Sequence, residues 1–245
     1  MGFVDLPHKT IIILHGWGRF TGSWFPVKQI LKNRGFSVFY PGLPGLDENQ
    51  PLDKPWALND YVDWVKQFAD ENNLSRFFLL GHSFGGRVAI KFAVKYPETL
   101  SGLILVSAAG IRSKKISKIY GFFARISKIV NKLSFIPGYD FCRKAAYRFL
   151  LKKTDYVTLK NQIMKDTFKN VIEQDLSDLL PQIQTKTLIL WGDKDVTTPL
   201  ADGDFMAKTI PNARLCVIPQ APHMIHVQAP NRVSQEILKF IANGN

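Results

Sequence analysis

The sequence is poor in several features, and each shortage excludes a class of protein. No apolar run in the 245-residue chain approaches the roughly 20 residues that a membrane-spanning helix needs. Cysteine is nearly missing. Cys142 and Cys216 lie far apart, form no metal or redox spacing and give no disulfide framework, so a reducing compartment is expected. The opening MGFVDLPHKT has neither the charged start nor the apolar core of a secretion signal. Leu6 stands where a myristoylation signal requires Ser or Thr. A cytoplasmic protein is therefore expected, and the sequon Asn73-Leu74-Ser75 carries little meaning without export. Internal repeats and low-complexity tracts are absent. Acidic residues are scarce, 20 Asp and Glu against 32 Lys and Arg, for a net charge of +12.

What is present suits a packed globule: 46% hydrophobic and 12% aromatic residues, in a length that fits one large α/β domain or a core with a modest insertion. Short apolar runs recur at TIIIL (10–14), FSVFY (36–40), RFFLL (76–80), GLILV (102–106), TLILW (187–191) and RLCVI (214–218). They are continuous rather than alternating, the pattern of parallel strands covered by helices on both faces. Between them lie amphipathic helix patterns. Leu58, Val62, Val65 and Phe68–Ala69 share one face of the segment 58–72. Val88, Phe92 and Tyr96 do the same in a helix that starts at Phe84 and stops before Pro97, and a last helix is predicted over 230–242. This alternation predicts one doubly wound, mostly parallel sheet with right-handed crossovers.

Residues 111–180 break the rhythm. They show only helical fragments, interrupted at FIPGYD (135–140), and predict an all-helical insertion over one sheet edge. The division is then a core of 1–110 with 181–245 and a cap of 111–180. Most of the charge sits in that cap: Arg112 to Lys153 holds twelve Lys or Arg against Asp140 alone, so this block supplies +11. A solvated helical surface accounts for it, with Ile116, Ile119, Phe123, Ile126 and Val130 forming an apolar underside. Attraction to anionic lipid or an acidic substrate is the sharper alternative. Nucleic acid is not expected, because charge stands alone without a base-reading element.

The chemistry concentrates at four strand ends. In RFFLLGHSFGGRVAIKF (76–92), Gly81-His82-Ser83-Phe84-Gly85 follows a buried strand and opens a helix. A bare G-x-S-x-G arises by chance about 0.08 times in a chain this long, so the context decides its value. A sharp strand-to-helix turn strains the serine's backbone and needs small residues around it. In exchange the hydroxyl stands at a helix N-terminus, where developing negative charge is favoured. A serine that merely caps the helix is the plain alternative.

A serine hydroxyl needs a base, and the base an orienting acid. LILWGDKDVTTP (188–199) offers Asp193 and Asp195, and CVIPQAPHMIHVQAP (216–230) offers His223 and His226. Chain order Ser83, Asp195, His223 fits partners drawn from later strands. His15-Gly16-Trp17 follows the first strand, where backbone N–H groups of Trp17 and Phe84 could form an oxyanion hole. His15, Gly16, Trp17 and Phe84 are also the candidate substrate-lining residues. His15 is expected to bond the loop backbone, and His82 to point away from the serine into helix packing.

LHGWG, YPGLPG, LLGHSFGG, LWGDKDVTTP and PHMIHVQAP, in that order, resemble the motifs of single-cap α/β hydrolases over nearly the whole chain. The resemblance selects Asp195 as the end of a G-x-x-D turn, and His223 as the start of an H-x-x-x-x-(acid or amide)-x-P stretch. It implies six strands in the family order 4-3-5-6-7-8, with TIIIL as strand 3 and the antiparallel opening strands missing. It also implies a serine esterase of small or medium acyl groups, working through Ser83, Asp195 and His223 without metal or organic cofactor. A C–C hydrolase of ring-fission products, a lysophospholipase or monoacylglycerol lipase type, and a catalytically silent receptor on the same fold remain alternatives. Gly42 departs from many relatives, which carry Asp after the second strand's proline.

Overall fold

The computed structural model describes residues 9–18, 22–111 and 161–242. The six apolar runs form one sheet, ordered β2-β1-β3-β4-β5-β6, with every neighbouring pair parallel. The strands are β1 (Thr10–Leu14), β2 (Ser37–Phe39), β3 (Phe77–His82), β4 (Leu100–Val106), β5 (Thr187–Gly192) and β6 (Ala213–Ile218). The order is the one that the family resemblance implies. Edge strand β2 is shorter than its apolar run, because Pro41 has no N–H to extend the ladder past Tyr40.

Continuous apolar strands bury both faces, and β1 shows how. All five of its residues are buried, with Ile12 and Leu14 in one core and Ile11 and Ile13 in the other. The helices are α1 (Phe25–Asn33), α2 (Leu58–Glu71), α3 (Phe84–Lys95), α4 (Gln162–Ile172), α5 (Leu200–Thr209), α6 (Ile225–Gln228) and α7 (Pro230–Ala242). The first core takes its helical residues from α2, α3, α4 and α5, and the second from α1, α6 and α7. Helices α2, α3 and α7 match the predicted segments. Helices α1 and α5 do not appear in the sequence reading; α1 buries Val27 and Leu31, and α5 Gly203 and Met206, too few in each for a visible stripe.

The helical insertion expected over 111–180 falls mostly on 112–160, outside the described residues. Of its described part, α4 and a 3-10 turn at Ser177–Gln182 are helical, and no strand occurs. Helix α4 is held to the core edge by Thr167, whose hydroxyl accepts from Trp56 N–H at 3.0 Å, and by the Phe168 ring, 4.9 Å from that of Trp17.

Candidate active site

Four loops leave the carboxyl ends of β1, β3, β5 and β6 and bring the candidate residues to one edge of the sheet. Between β3 and α3 the turn is tight. Ser83 has φ 51° and ψ −112°, a left-handed conformation that costs a non-glycine residue about 1–3 kcal/mol. Its main chain is pinned on three sides: N–H donates to Val106 O, and O accepts from Gly86 N–H and Ala109 N–H. The strain is thereby held in place, with Ser83 half-buried at the first turn of a 12-residue helix. Gly85 is required by close approach, since a Cβ there would fall 2.2 Å from Leu14 O.

The β1 loop packs directly on this turn. Gly85 N–H donates to His15 O at 3.1 Å, and a side chain at Gly16 would meet Ser83 Cβ at 3.3 Å. Among the described residues, nothing accepts a hydrogen bond from the N–H of Trp17 or of Phe84, or bonds the Ser83 hydroxyl. The Trp17 and Phe84 rings meet edge to face at 5.0 Å, and Tyr61 packs on Phe84 at the same spacing. The two candidate lining aromatics thus belong to an aromatic cluster that reaches α4 through Phe168.

The acid and the histidine meet. His223 Nδ1 lies 2.8 Å from Asp195 Oδ2. Asp195 Oδ1 accepts from the N–H groups of Thr197 and Thr198, and Oδ2 also accepts from the Thr198 hydroxyl. Burial pushes the Asp195 carboxyl up, but His223 and these donors outweigh it, and its pKa lies below the ordinary value. A carboxylate only accepts, so Nδ1 carries the hydrogen and Nε2 is the free basic nitrogen of neutral His223. The two loops are locked backbone to backbone: Lys194 N–H donates to Ala221 O, and a Cβ at Gly192 would fall 2.1 Å from that oxygen.

Neighbouring candidates separate cleanly. Asp193 is exposed, with its N–H bonded to Ile218 O, and it does not touch His223. His226 is fully buried, stacked on Trp24 at 4.1 Å and bonded to Ser23 Oγ; burial lowers its pKa to about 3. His15 accepts Leu43 N–H at Nε2 and therefore donates from Nδ1 to Gly16 O, a backbone-bonding role. Burial lowers its pKa.

His82 points away from Ser83, as strand alternation requires, and packs among helix residues as expected, against Trp24 at the start of α1 and His226 of α6. Residues Phe78 and Leu80 face the second core, and His82 follows them to reach Trp24 and the main chain of His223. Two further residues matter that the sequence did not mark. Thr198, within the run LWGDKDVTTP, has a hydroxyl that touches both Asp195 and His223. Asp202 in α5 is pushed up to about 6 by burial and by the charge of Asp195. At Gly42, a Cβ would fall 2.1 Å from Asp47 Oδ2, so the missing side chain leaves room for a carboxylate from five residues on. Among the described residues, no cluster of His, Cys, Asp or Glu is arranged to hold a metal.

Residues 5–229 match the serine aminopeptidase S33 family of hydrolases. The chain belongs to this α/β-hydrolase family. Within α/β hydrolases, 2-hydroxy-6-oxo-6-phenylhexa-2,4-dienoate hydrolase of Burkholderia cepacia is 27% identical over 96% of this chain and 88% of its own length. Human (Homo sapiens) monoacylglycerol lipase ABHD6 is 25% identical over 96% of this chain and 76% of its own. An esterase from Thermogutta terrifontis superposes with a TM-score of 0.72 at 25% identity, covering 96% of this chain and 90% of that one.

Proposed function

We propose that this α/β hydrolase cleaves carboxylic esters of small or medium acyl groups through Ser83, His223 and Asp195. The observation that carries the reading is the 2.8 Å contact of His223 Nδ1 with a buried carboxylate, on a loop tied to the strained Ser83 by its neighbour His82, whose Nε2 lies 3.2 Å from His223 O. Ser83 Oγ attacks the ester carbonyl while His223 Nε2 takes its proton; such contacts are commonly long before substrate binds and tighten in the complex. The carbonyl oxygen becomes an oxyanion held by the N–H groups of Trp17 and Phe84. Collapse breaks the C–O bond, the leaving alcohol takes the proton from His223, and water releases the acyl group by the same steps in reverse. Asp195 keeps the hydrogen on Nδ1 and stabilises the imidazolium. In this reading 1–110 with 181–245 are the hydrolase core and 111–180 its cap.

A second reading keeps the same residues and changes the bond. The Burkholderia cepacia relative is named for a ring-fission acid, and the basic block at 112–153 suits an acidic substrate. Turnover of a graded ester panel, run beside a coloured ring-fission acid, separates the two. Esters should be cleaved and Ser83→Ala should abolish cleavage; preference for the coloured acid selects C–C hydrolysis, and ester turnover that survives Ser83→Ala rejects the serine mechanism. If the basic block also meets anionic lipid, sedimentation with anionic vesicles should weaken as salt rises.

A further inference from the structure

Thr198 sits where three partners converge. Its Oγ1 lies 2.9 Å from Asp195 Oδ2, 3.1 Å from Ser107 O and 3.2 Å from His223 Nδ1. Its backbone is fixed at both ends: N–H donates to Asp195 Oδ1, and O accepts from the indole N–H of buried Trp191 at 2.8 Å. The side chain, itself buried, is therefore delivered to the acid–histidine pair by main-chain bonds rather than by its own rotamer choice.

A hydroxyl has one hydrogen and two lone pairs. The hydrogen can go to Asp195 Oδ2 or to Ser107 O, and a lone pair remains for the Nδ1–H of His223 in either setting. Directed at Oδ2, it competes with His223 for that oxygen. Turned to Ser107 O, it leaves Oδ2 to the imidazole and offers a second acceptor. Ser107 directly follows β4 with φ 43°, and its N–H is bonded to Leu190 O, so its carbonyl is a fixed target.

We propose that Thr198 is a positioning residue of the reaction: with its hydrogen on Ser107 O, its hydroxyl offers the Nδ1–H of His223 a second acceptor beside Asp195 Oδ2 and steadies the imidazolium that forms when His223 takes the proton. The inference rests on the assignment of Ser83, His223 and Asp195 above, but it acts on the His223–Asp195 pair and can be read without turnover.

The test compares Thr198→Val with Thr198→Ser. Valine keeps the shape and removes the hydroxyl; serine keeps the hydroxyl. Thr198→Val should lower kcat about tenfold, near the low end for a hydrogen bond to a charged group, with KM within about twofold. It should also move the NMR resonance of the His223 Nδ1 proton, and Thr198→Ser should restore both. A valine variant with wild-type kcat and an unmoved resonance overturns the proposal, as does a serine variant impaired like valine. Should Thr198→Val not fold, Thr198→Ala against Thr198→Ser gives the same comparison. Failure of the esterase reading is distinct: Ser83→Ala would then leave turnover intact, whereas the Nδ1 resonance still reports on Thr198.

Discussion

The Nε2 atom of His82 lies 3.2 Å from the main-chain oxygen of His223. A carbonyl only accepts, so Nε2 carries the hydrogen, and burial beside three other histidines keeps His82 uncharged. The strand that presents Ser83 thus also grips the loop that presents the proposed base. Replacing His82 by Leu removes the donor to a half-buried carbonyl and should cost about 1 kcal/mol of stability. It should also lower kcat, because His223 loses its tie to the serine's neighbour. Urea unfolding and ester turnover check both, with His82→Gln expected to recover part of each by restoring an N–H donor.

The two acids of the β5 loop make a paired prediction. Asp195→Asn should reduce kcat by as much as ~10⁴, because an amide can donate to Nδ1 and hold the wrong tautomer. Asp193→Asn should leave kcat within about twofold, since that side chain is exposed and it is Asp195 that pairs with His223. Parallel kinetics on the two purified variants decide the matter.

Acid should weaken the fold through its buried histidines, a loss that Asp202, whose carboxyl is pushed up to about 6, offsets in part below about pH 6 because the folded chain takes up that proton first. His226 has a pKa of about 3 in the folded protein against an ordinary 6.5, and His82 is also held far below its ordinary value. The unfolded chain therefore binds protons that the folded one refuses. Stability is full above about pH 6.5 and falls as pH drops toward 3, by up to about 1.4 kcal/mol per pH unit for each group. The depressed carboxyl of Asp195 adds a later loss, as pH falls through its folded pKa. Urea unfolding between pH 7.5 and 5 should show this slope, and His226→Phe, which keeps a ring against Trp24, should flatten it.

The strands were legible because a doubly covered strand writes itself as a solid apolar run, whereas the sheet order came only from the resemblance to α/β hydrolases. Helices α1 and α5 were not, because each buries so few side chains that no 3.6-residue stripe emerges; in α5 Gly203 is forced by the Trp191 indole, 2.8 Å from where its Cβ would be. The elbow, the β5 acid and the β6 histidine stand at strand ends and could be found by position. Which acid meets which histidine is resolved by the backbone lock between the β5 and β6 loops. Thr198 and the grip of His82 stayed hidden for a related reason. Each depends on a contact across more than twenty residues of chain, made by loops whose path no local pattern records.

The covalent chemistry can be read directly by treating the protein with a fluorophosphonate and mapping the adduct by mass spectrometry. Stoichiometric labelling on the peptide that contains Ser83, abolished in Ser83→Ala and slowed in His223→Ala, is the predicted result. An unlabelled Ser83 in folded protein, or an adduct that persists after Ser83→Ala, would contradict the assignment.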